Sequence, residues 1–127
     1  MKAFVITLLD NKYSEAKADE CIASAAKFGL EVNKWFGTDK EHAVEEMESQ
    51  GLEWAWADNN TRKVICPISG LQQFPYTAAD LRAKIGCSMS HWFLWQHCVD
   101  LDEAILILEH DAVFLRPLPT DIDFTGI

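Results

Sequence analysis

The chain has 127 residues, of which 49% are hydrophobic, and its 20 acidic and 11 basic residues give a net charge of −9. This length suits one compact domain, and the apolar content excludes a disordered or fibrous chain. An acidic chain disfavours nucleic acid as the main partner, because phosphates are bound by clustered lysine and arginine. A phosphorylated ligand stays compatible if a divalent cation lies between carboxylate and phosphate.

Membrane-spanning and exported classes are also disfavoured. The N-terminus lacks an extended hydrophobic region leading to a small-residue cleavage site, and no segment has the roughly 20 consecutive apolar residues that span a bilayer. We therefore expect a soluble protein whose membrane contact, if it has any, is peripheral. The four cysteines form no CxxC pair, which favours reduced core thiols over disulfides or a zinc site and predicts a cytoplasmic protein: Cys21, Cys66, Cys87 and Cys98.

The first third of the chain predicts a strand, a helix and a second strand. The continuous apolar run KAFVITLL is typical of a strand that is covered on both faces. Ser14 predicts the N-cap of a helix that runs to about Phe28 and stops at Gly29. The segment LEVNKWF then predicts a second strand. This order favours a parallel pair of strands joined by a right-handed crossover.

The middle of the chain is less regular. Thr38 and Glu41 predict a capping box that opens an acidic helix to about Gln50, with Gly51 as its stop. The segment Trp54–Tyr76 has no sustained periodicity and predicts a long excursion. A functional loop and a plain insertion account for such an excursion equally well.

The last third of the chain predicts a long helix and a buried strand. Thr77 and Asp80 form a second predicted capping box, and apolar residues recur at helical spacing from there through Asp100. We expect this helix at about Asp80–Val99. The all-apolar run AILIL, Ala104–Leu108, then predicts a central buried strand.

Three polar residues follow this strand directly: Glu109, His110 and Asp111. In open α/β sheets, ligands bind outside the carboxyl ends of the parallel strands. On an extended backbone, Glu109 and Asp111 project to one side and His110 to the other, which gives two carboxylates for one cation. Spacing alone leaves a solvated strand end as the alternative.

The run KIGCSMSHWFLWQHCVDLDEAILILEHDAVF, residues 84–114, resembles the hallmark of glycosyltransferase family 25. In these lipopolysaccharide and lipooligosaccharide biosynthesis transferases, a glycine-cysteine helix with a serine-histidine pair precedes a strand ending in LEDD. The corresponding residues here are Gly86, Cys87, Ser90, His91, Leu108, Glu109, His110 and Asp111. The segments TLLDNKYSEA and FGLEVNKWFGTD resemble the family's first two strands more loosely.

The resemblance implies a fold and a reaction. The fold would be GT-A-like, that of the nucleotide-diphospho-sugar transferases: a Rossmann-like, mainly parallel sheet with flanking helices, truncated at the C-terminus. Residues 1–127 would be a single domain, the N-terminal portion of the family domain. The reaction would transfer a sugar, with galactose as the expected one, from a donor such as UDP-galactose to a glycan acceptor such as lipopolysaccharide. An Mn²⁺ or Mg²⁺ ion would assist it.

The resemblance also implies site residues. Asp111 would be the main metal ligand, and Glu109 an assisting carboxylate for the metal or the ribose. The other donor-binding positions would be Thr7, Leu8, Asp10, Ser90, His91 and His110. His110 stands where the family usually has aspartate, and Thr7 where it has asparagine. The sequence assigns no catalytic base.

Two other functions stay open at this point. One is a non-catalytic nucleotide- or partner-binding remnant of the same fold, and the other is an unrelated α/β metal-dependent phosphoesterase. The family domain continues beyond the acidic motif, so a truncated α/β layer would leave an apolar sheet edge or face exposed. We therefore predict that the chain self-associates or packs against another chain, through the sheet edge or the Trp54–Tyr76 segment.

Overall fold

The computed structural model describes residues 1–55, 64–73 and 80–119. Its elements in chain order are β1 (Lys2–Thr7), α1 (Lys12–Ala26), β2 (Asn33–Phe36), α2 (Ala43–Ser49), β3 (Val64–Ile65), β4 (Gln72–Gln73), α3 (Leu81–Leu101) and β5 (Ile105–Leu108). The chain divides into two compact units. The first unit consists of Met1–Gly37 and the described residues from Ser90 onward, and the second lies within Thr38–Met89.

The first unit is built on a parallel three-stranded sheet in the order β2-β1-β5. Thr7 of β1 pairs with Phe36 of β2, and Val5 of β1 pairs with Leu108 of β5. The predicted parallel sheet and the predicted strand near residues 104–108 are both confirmed. The prediction that this last strand is central is wrong for the part of the sheet that the structure describes, because β1 occupies the middle and β5 an edge.

Strand β1 is covered on both faces, as its continuous apolar run predicts. Alternate side chains point to opposite faces of a strand. Ala3 and Val5 pack in one cluster with residues of α1 and Val32, whereas Phe4 and Ile6 pack in another with Leu94 of α3. Helices α1 and α3 therefore cover opposite faces of β1.

Strand β5 shows why an edge strand of this sheet is entirely apolar. Leu106 and Leu108 pack against the α1 cluster, and Ile105 and Ile107 pack against the Leu94 cluster. Both faces of β5 thus contact the core, although each of its four residues stays only half-buried. An all-apolar run predicts two covered faces and carries no information on whether the strand is central.

Helix α1 begins earlier than predicted. Asn11 is its N-cap, and the Asn11 side chain accepts a hydrogen bond from the Ser14 backbone N–H at 3.0 Å. The prediction of Ser14 as the cap is wrong, because asparagine is an equally strong cap and lies three residues earlier. Ser14 is instead a buried residue inside the first turn. Gly29, with a φ of 74°, follows the end of the helix as predicted.

Helix α2 also begins differently from the prediction. The helix starts at Ala43 with His42 as its N-cap, so Thr38 and Glu41 do not open it as predicted, and the Thr38 hydroxyl donates to the Glu46 carboxylate. The Asp39 carboxylate accepts from the backbone N–H groups of Glu41, at 2.8 Å, and His42, at 3.0 Å. Aspartate satisfies the free donors before the helix in place of the threonine.

The same aspartate sets the protonation of His42, whose Nδ1 lies 2.9 Å from Asp39 Oδ1. The side-chain hydrogen bond to Asp39 raises the pKa of His42 above 6.5, and hydrogen bonds led by the His42 backbone lower the pKa of Asp39 below 3.8. The His42 contribution to stability is present below pH 6.5 and is lost as pH rises through its raised pKa. The Asp39 contribution is present above pH 3.8 and is lost as pH falls through its lowered pKa.

We predict that Asp39→Asn returns the pKa of His42 towards 6.5. Asparagine keeps an oxygen that accepts from the two backbone N–H groups, so the substitution removes the charge and preserves the turn. An NMR titration of the His42 ring measures the change. Glu48→Gln, an exposed carboxylate on α2, is the control and should leave the titration unchanged. An unshifted His42 in Asp39→Asn would contradict the pairing.

The Trp54–Tyr76 segment contains an antiparallel hairpin that the sequence did not predict. Strands β3 and β4 pair through Ile65 and Gln72. Across the turn, the Cys66 N–H donates to the Leu71 carbonyl at 2.9 Å, and the Gly70 N–H donates to the Cys66 carbonyl at 2.9 Å. Two-residue strands are too short to display the alternation by which strands are recognised.

Helix α3 is confirmed close to its predicted bounds. The Asp80 carboxylate accepts from the Arg82 N–H at 3.0 Å at the start of the helix, while Thr77 lies outside the described residues. In the described part of the chain, neither α3 nor any other helix is long and apolar enough to cross a membrane. Cys87 on α3 is exposed, so the expectation of a core location holds for buried Cys21 and is wrong for Cys87.

Candidate functional site

The ends of two parallel strands form the candidate site. Because β1 and β5 are parallel neighbours, their carboxyl ends lie at the same edge of the sheet. Thr7–Asp10 ends and follows β1, and Glu109–Asp111 follows β5; we call these two segments the carboxyl edge. Tyr13 in the first turn of α1 packs edge to face on His110, with ring centroids 6.0 Å apart. This contact ties the start of α1 to the end of β5.

On the β1 side, the residues differ in their access to a ligand. Thr7 is completely buried, and its hydroxyl lies 3.2 Å from the Ser14 hydroxyl. The Leu8 N–H donates to Ser14 Oγ at 2.9 Å, and the Leu8 side chain is half-buried. Asp10 is exposed. The Thr7 side chain is thus engaged inside the fold with Ser14, a residue whose role at the strand end the sequence did not reveal.

On the β5 side, the extended backbone stops sooner than the sequence argument assumes. The strand ends at Leu108, and the Ala112 N–H donates to the Glu109 carbonyl at 3.0 Å, which closes a turn. The prediction that Glu109 and Asp111 project to the same side of a strand is therefore wrong, since side-chain alternation applies only to extended chain. Both carboxylates are exposed, and His110 is half-buried.

Helix α3 contributes Ser90 and His91 with different surroundings. Ser90 is 1% exposed and packs so tightly on Gly37 that a Cβ added to this glycine would lie 2.6 Å from Ser90 Oγ. Ser90 thus helps to fix α3 against the chain that follows β2. His91 is half-buried, and its ring packs at 6.4 Å from the ring of Trp95.

His91 and Glu109 come together in the folded chain. A ring nitrogen of His91 and a carboxylate oxygen of Glu109 lie within 4.8 Å of each other. The two residues are 18 positions apart in the sequence, on a helix and after a strand. The resemblance identified both positions. Their proximity could not be predicted, because it depends on how α3 packs on β5.

One lysine of α1 lies within electrostatic range of Asp111. The hydrogen bond and charge of Glu20 raise the pKa of Lys17, and the negative charge of Asp111 adds a smaller effect in the same direction. Lys17 Nζ lies 2.7 Å from Glu20 Oε2. Lys17 is therefore paired with Glu20, and the charge of Asp111 affects it only weakly.

The donor atoms present suit the metal that the family resemblance implies. Mn²⁺ accepts both carboxylate oxygen and imidazole nitrogen, whereas Mg²⁺ prefers oxygen ligands. Glu109 and His91 offer one of each within 4.8 Å. In the part of the chain that the structure describes, Asp111 is not a member of this close group. The carboxylate and the imidazole are thus donors that Mn²⁺ accepts.

A parallel α/β unit with carboxylates and a histidine at the carboxyl edge of its sheet belongs to a class that commonly binds nucleotides. The model of glycosyltransferase family 25, the LPS biosynthesis proteins, matches residues 57–123, a little more than half of the chain. The chain belongs to glycosyltransferase family 25. The matched range includes α3, β5 and Glu109–Asp111 and leaves out β1. Neither a curated protein nor a solved structure matches the chain significantly.

Proposed function

We propose that the protein transfers a sugar, with galactose as the first candidate, from a nucleotide-sugar donor to a glycan acceptor of lipopolysaccharide. Membership of a family of LPS biosynthesis glycosyltransferases supports sugar transfer. The observation that carries the proposal is the approach of His91 to Glu109 within 4.8 Å at the carboxyl edge. This brings together the two sequence blocks by which the chain resembles the family.

Each site residue has a proposed part in donor binding. Glu109 and His91 would hold the divalent cation, and the exposed Asp111 side chain, which lies outside their close group, would turn towards the cation when it binds. When bound, the cation supplies positive charge that stabilises the departing nucleoside diphosphate. Ser90 acts as a positioning residue, because its packing on Gly37 fixes the part of α3 that presents His91.

The second candidate is a non-catalytic nucleotide- or partner-binding relative of these enzymes. Two contacts favour it. The Thr7 hydroxyl is engaged by Ser14, and the His110 ring is engaged by Tyr13, so two of the positions taken from the family make contacts within the fold. A protein of this kind would bind the nucleotide and release no product.

Binding and turnover measured on the same preparation test both candidates. We expect calorimetry to show UDP and UDP-galactose binding that depends on Mn²⁺, and mass spectrometry to show galactose added to a truncated lipopolysaccharide glycan. Binding without transfer or donor hydrolysis would support the second candidate. If neither UDP nor UDP-galactose binds, the first candidate and the nucleotide-binding form of the second are wrong. Turnover of phosphate esters without sugar specificity would indicate a phosphoesterase.

A further inference from the structure

Three strongly exposed aliphatic side chains lie on the β3–β4 hairpin of the second unit. Ile68 is 95% exposed, Leu71 is 70% exposed and Ile65 is 68% exposed. All three belong to the hairpin or its connecting turn, within seven consecutive residues. Single exposed apolar residues are common on protein surfaces, but several on one short turn mark an interaction site.

The turn holds these side chains in a defined conformation. Two backbone hydrogen bonds between Cys66 and its partners Leu71 and Gly70 close it at 2.9 Å each. The Cys66 thiol hydrogen-bonds with the Ser69 side chain and with the backbone of Ser69 and Ile68, which lowers the pKa of the thiol. Gly70 adopts a φ of 69°, which favours glycine. The polar groups of the turn are thus paired internally while its aliphatic side chains are exposed.

The charge pattern around the hairpin differs from that of the rest of the chain. The chain has 20 acidic residues, yet none occurs from Asn59 to Ala79, and the described hairpin, residues 64–73, carries no charged residue at all. The two charged residues of this acid-free stretch are basic, Arg62 and Lys63, and they precede the hairpin outside the described residues. An overall net charge of −9 would repel an anionic surface, so a local absence of acidic residues permits approach at this one element.

We propose that the β3–β4 hairpin docks the protein on an anionic phospholipid bilayer, with Ile65, Ile68 and Leu71 inserted at the interface. Aliphatic side chains enter the boundary between headgroups and acyl chains, and the absence of negative charge avoids repulsion from anionic lipid. This docking does not depend on the proposed sugar transfer.

A bilayer fits this surface better than a second copy of the chain. A stable protein interface buries roughly 1,200–2,000 Å² in total, and three aliphatic side chains on one turn supply only a small part of such an area. A lipid interface needs no complementary protein surface and accepts a narrow apolar tip.

Vesicle flotation tests the docking. We expect the wild-type chain to float with vesicles of phosphatidylcholine and phosphatidylglycerol at about 3:1, and to keep floating at high salt, which screens the repulsion between the acidic chain and anionic lipid. Ile68→Ser with Leu71→Ser should lower the bound fraction about tenfold or more, because two aliphatic anchors are lost. Val99→Ser with Leu115→Ser replaces two aliphatic residues of the first unit that are 73% and 87% exposed, and should change binding less than about twofold.

Two further measurements separate lipid docking from misfolding of the variant and from self-association. Circular dichroism should show the same spectrum for the hairpin variant and wild type, since the replaced side chains are exposed. Alkylation of Cys66, followed by peptide mass spectrometry, should slow when vesicles are added. The proposal is overturned if wild type fails to float, if both double variants float equally, or if the hairpin variant turns a vesicle-free dimer into a monomer in sedimentation velocity.

Discussion

Leu94→Ala is expected to lower the free energy of unfolding by about 2–5 kcal/mol, the largest stability effect that we predict for a single substitution in this chain. Leu94 is completely buried and packs against Phe4 and Ile6 on the face of β1 that α3 covers. The shortened side chain leaves a cavity that a strand and a helix fixed by other contacts cannot fill. A domain of this size has a total stability of about 5–15 kcal/mol, so the loss is a large share of it.

Urea denaturation followed by circular dichroism measures this effect. Leu115→Ala is the matched control, because it makes the same chemical change at a side chain that is 87% exposed. The control should change the free energy of unfolding by less than about 0.5 kcal/mol. Equal effects of the two substitutions would mean that α3 does not cover β1 in solution.

The elements of the first unit follow from local sequence signals. The apolar run of β1 predicts a strand covered on both faces, and the structure places Ala3 and Val5 on one face and Phe4 and Ile6 on the other. Helix α3 shows sustained helical periodicity and is found within two residues of its predicted ends. Long, strongly periodic segments are predictable because burial of one face determines which residues must be apolar.

The order of strands in the sheet did not follow from the sequence. An all-apolar strand reports that both of its faces are covered, and β5 satisfies this at an edge of the described sheet because Leu106 and Ile107 contact different clusters. Whether another strand pairs with β5 depends on backbone hydrogen bonds. The pattern of apolar and polar side chains does not report these bonds. The predicted self-association through a sheet edge stays a prediction for the same reason.

The candidate site was predictable in its members and not in its geometry. The resemblance identified His91, Glu109 and Asp111 from short motifs. The hydrogen bond from the Ala112 N–H to the Glu109 carbonyl closes a turn that changes the directions of the Glu109 and Asp111 side chains. The sequence did not predict this turn. The sequence predicts Ser14 as a helix cap because serine is common at that position. In the folded chain its hydroxyl instead contacts the Thr7 hydroxyl and accepts a hydrogen bond from the Leu8 N–H. Metal binding and a cytoplasmic location remain predictions.

Asp111→Asn is expected to weaken manganese-dependent binding of UDP and UDP-galactose by about a hundredfold or more. Loss of groups that merely orient metal ligands costs about 10–100-fold in affinity, and a proposed ligand should cost at least as much. Asparagine has nearly the same shape and lacks the charge that compensates a cation. The Asp111 side chain is exposed, so the fold should be unaffected. Calorimetric titration with and without Mn²⁺ provides the measurement.

One control and two further variants accompany this titration. Asp102→Asn removes an exposed carboxylate before the opposite end of β5, at a φ of 50° that asparagine tolerates, and should leave nucleotide affinity unchanged.

Glu109→Gln should weaken binding as Asp111→Asn does, because the carboxylate near His91 is then lost. His110→Asp should keep or strengthen binding, since it adds negative charge beside the proposed cation while releasing Tyr13. If neither Asp111→Asn nor Glu109→Gln weakens UDP binding, the cation is not held by this turn, and the proposed donor site at the carboxyl edge has to be abandoned.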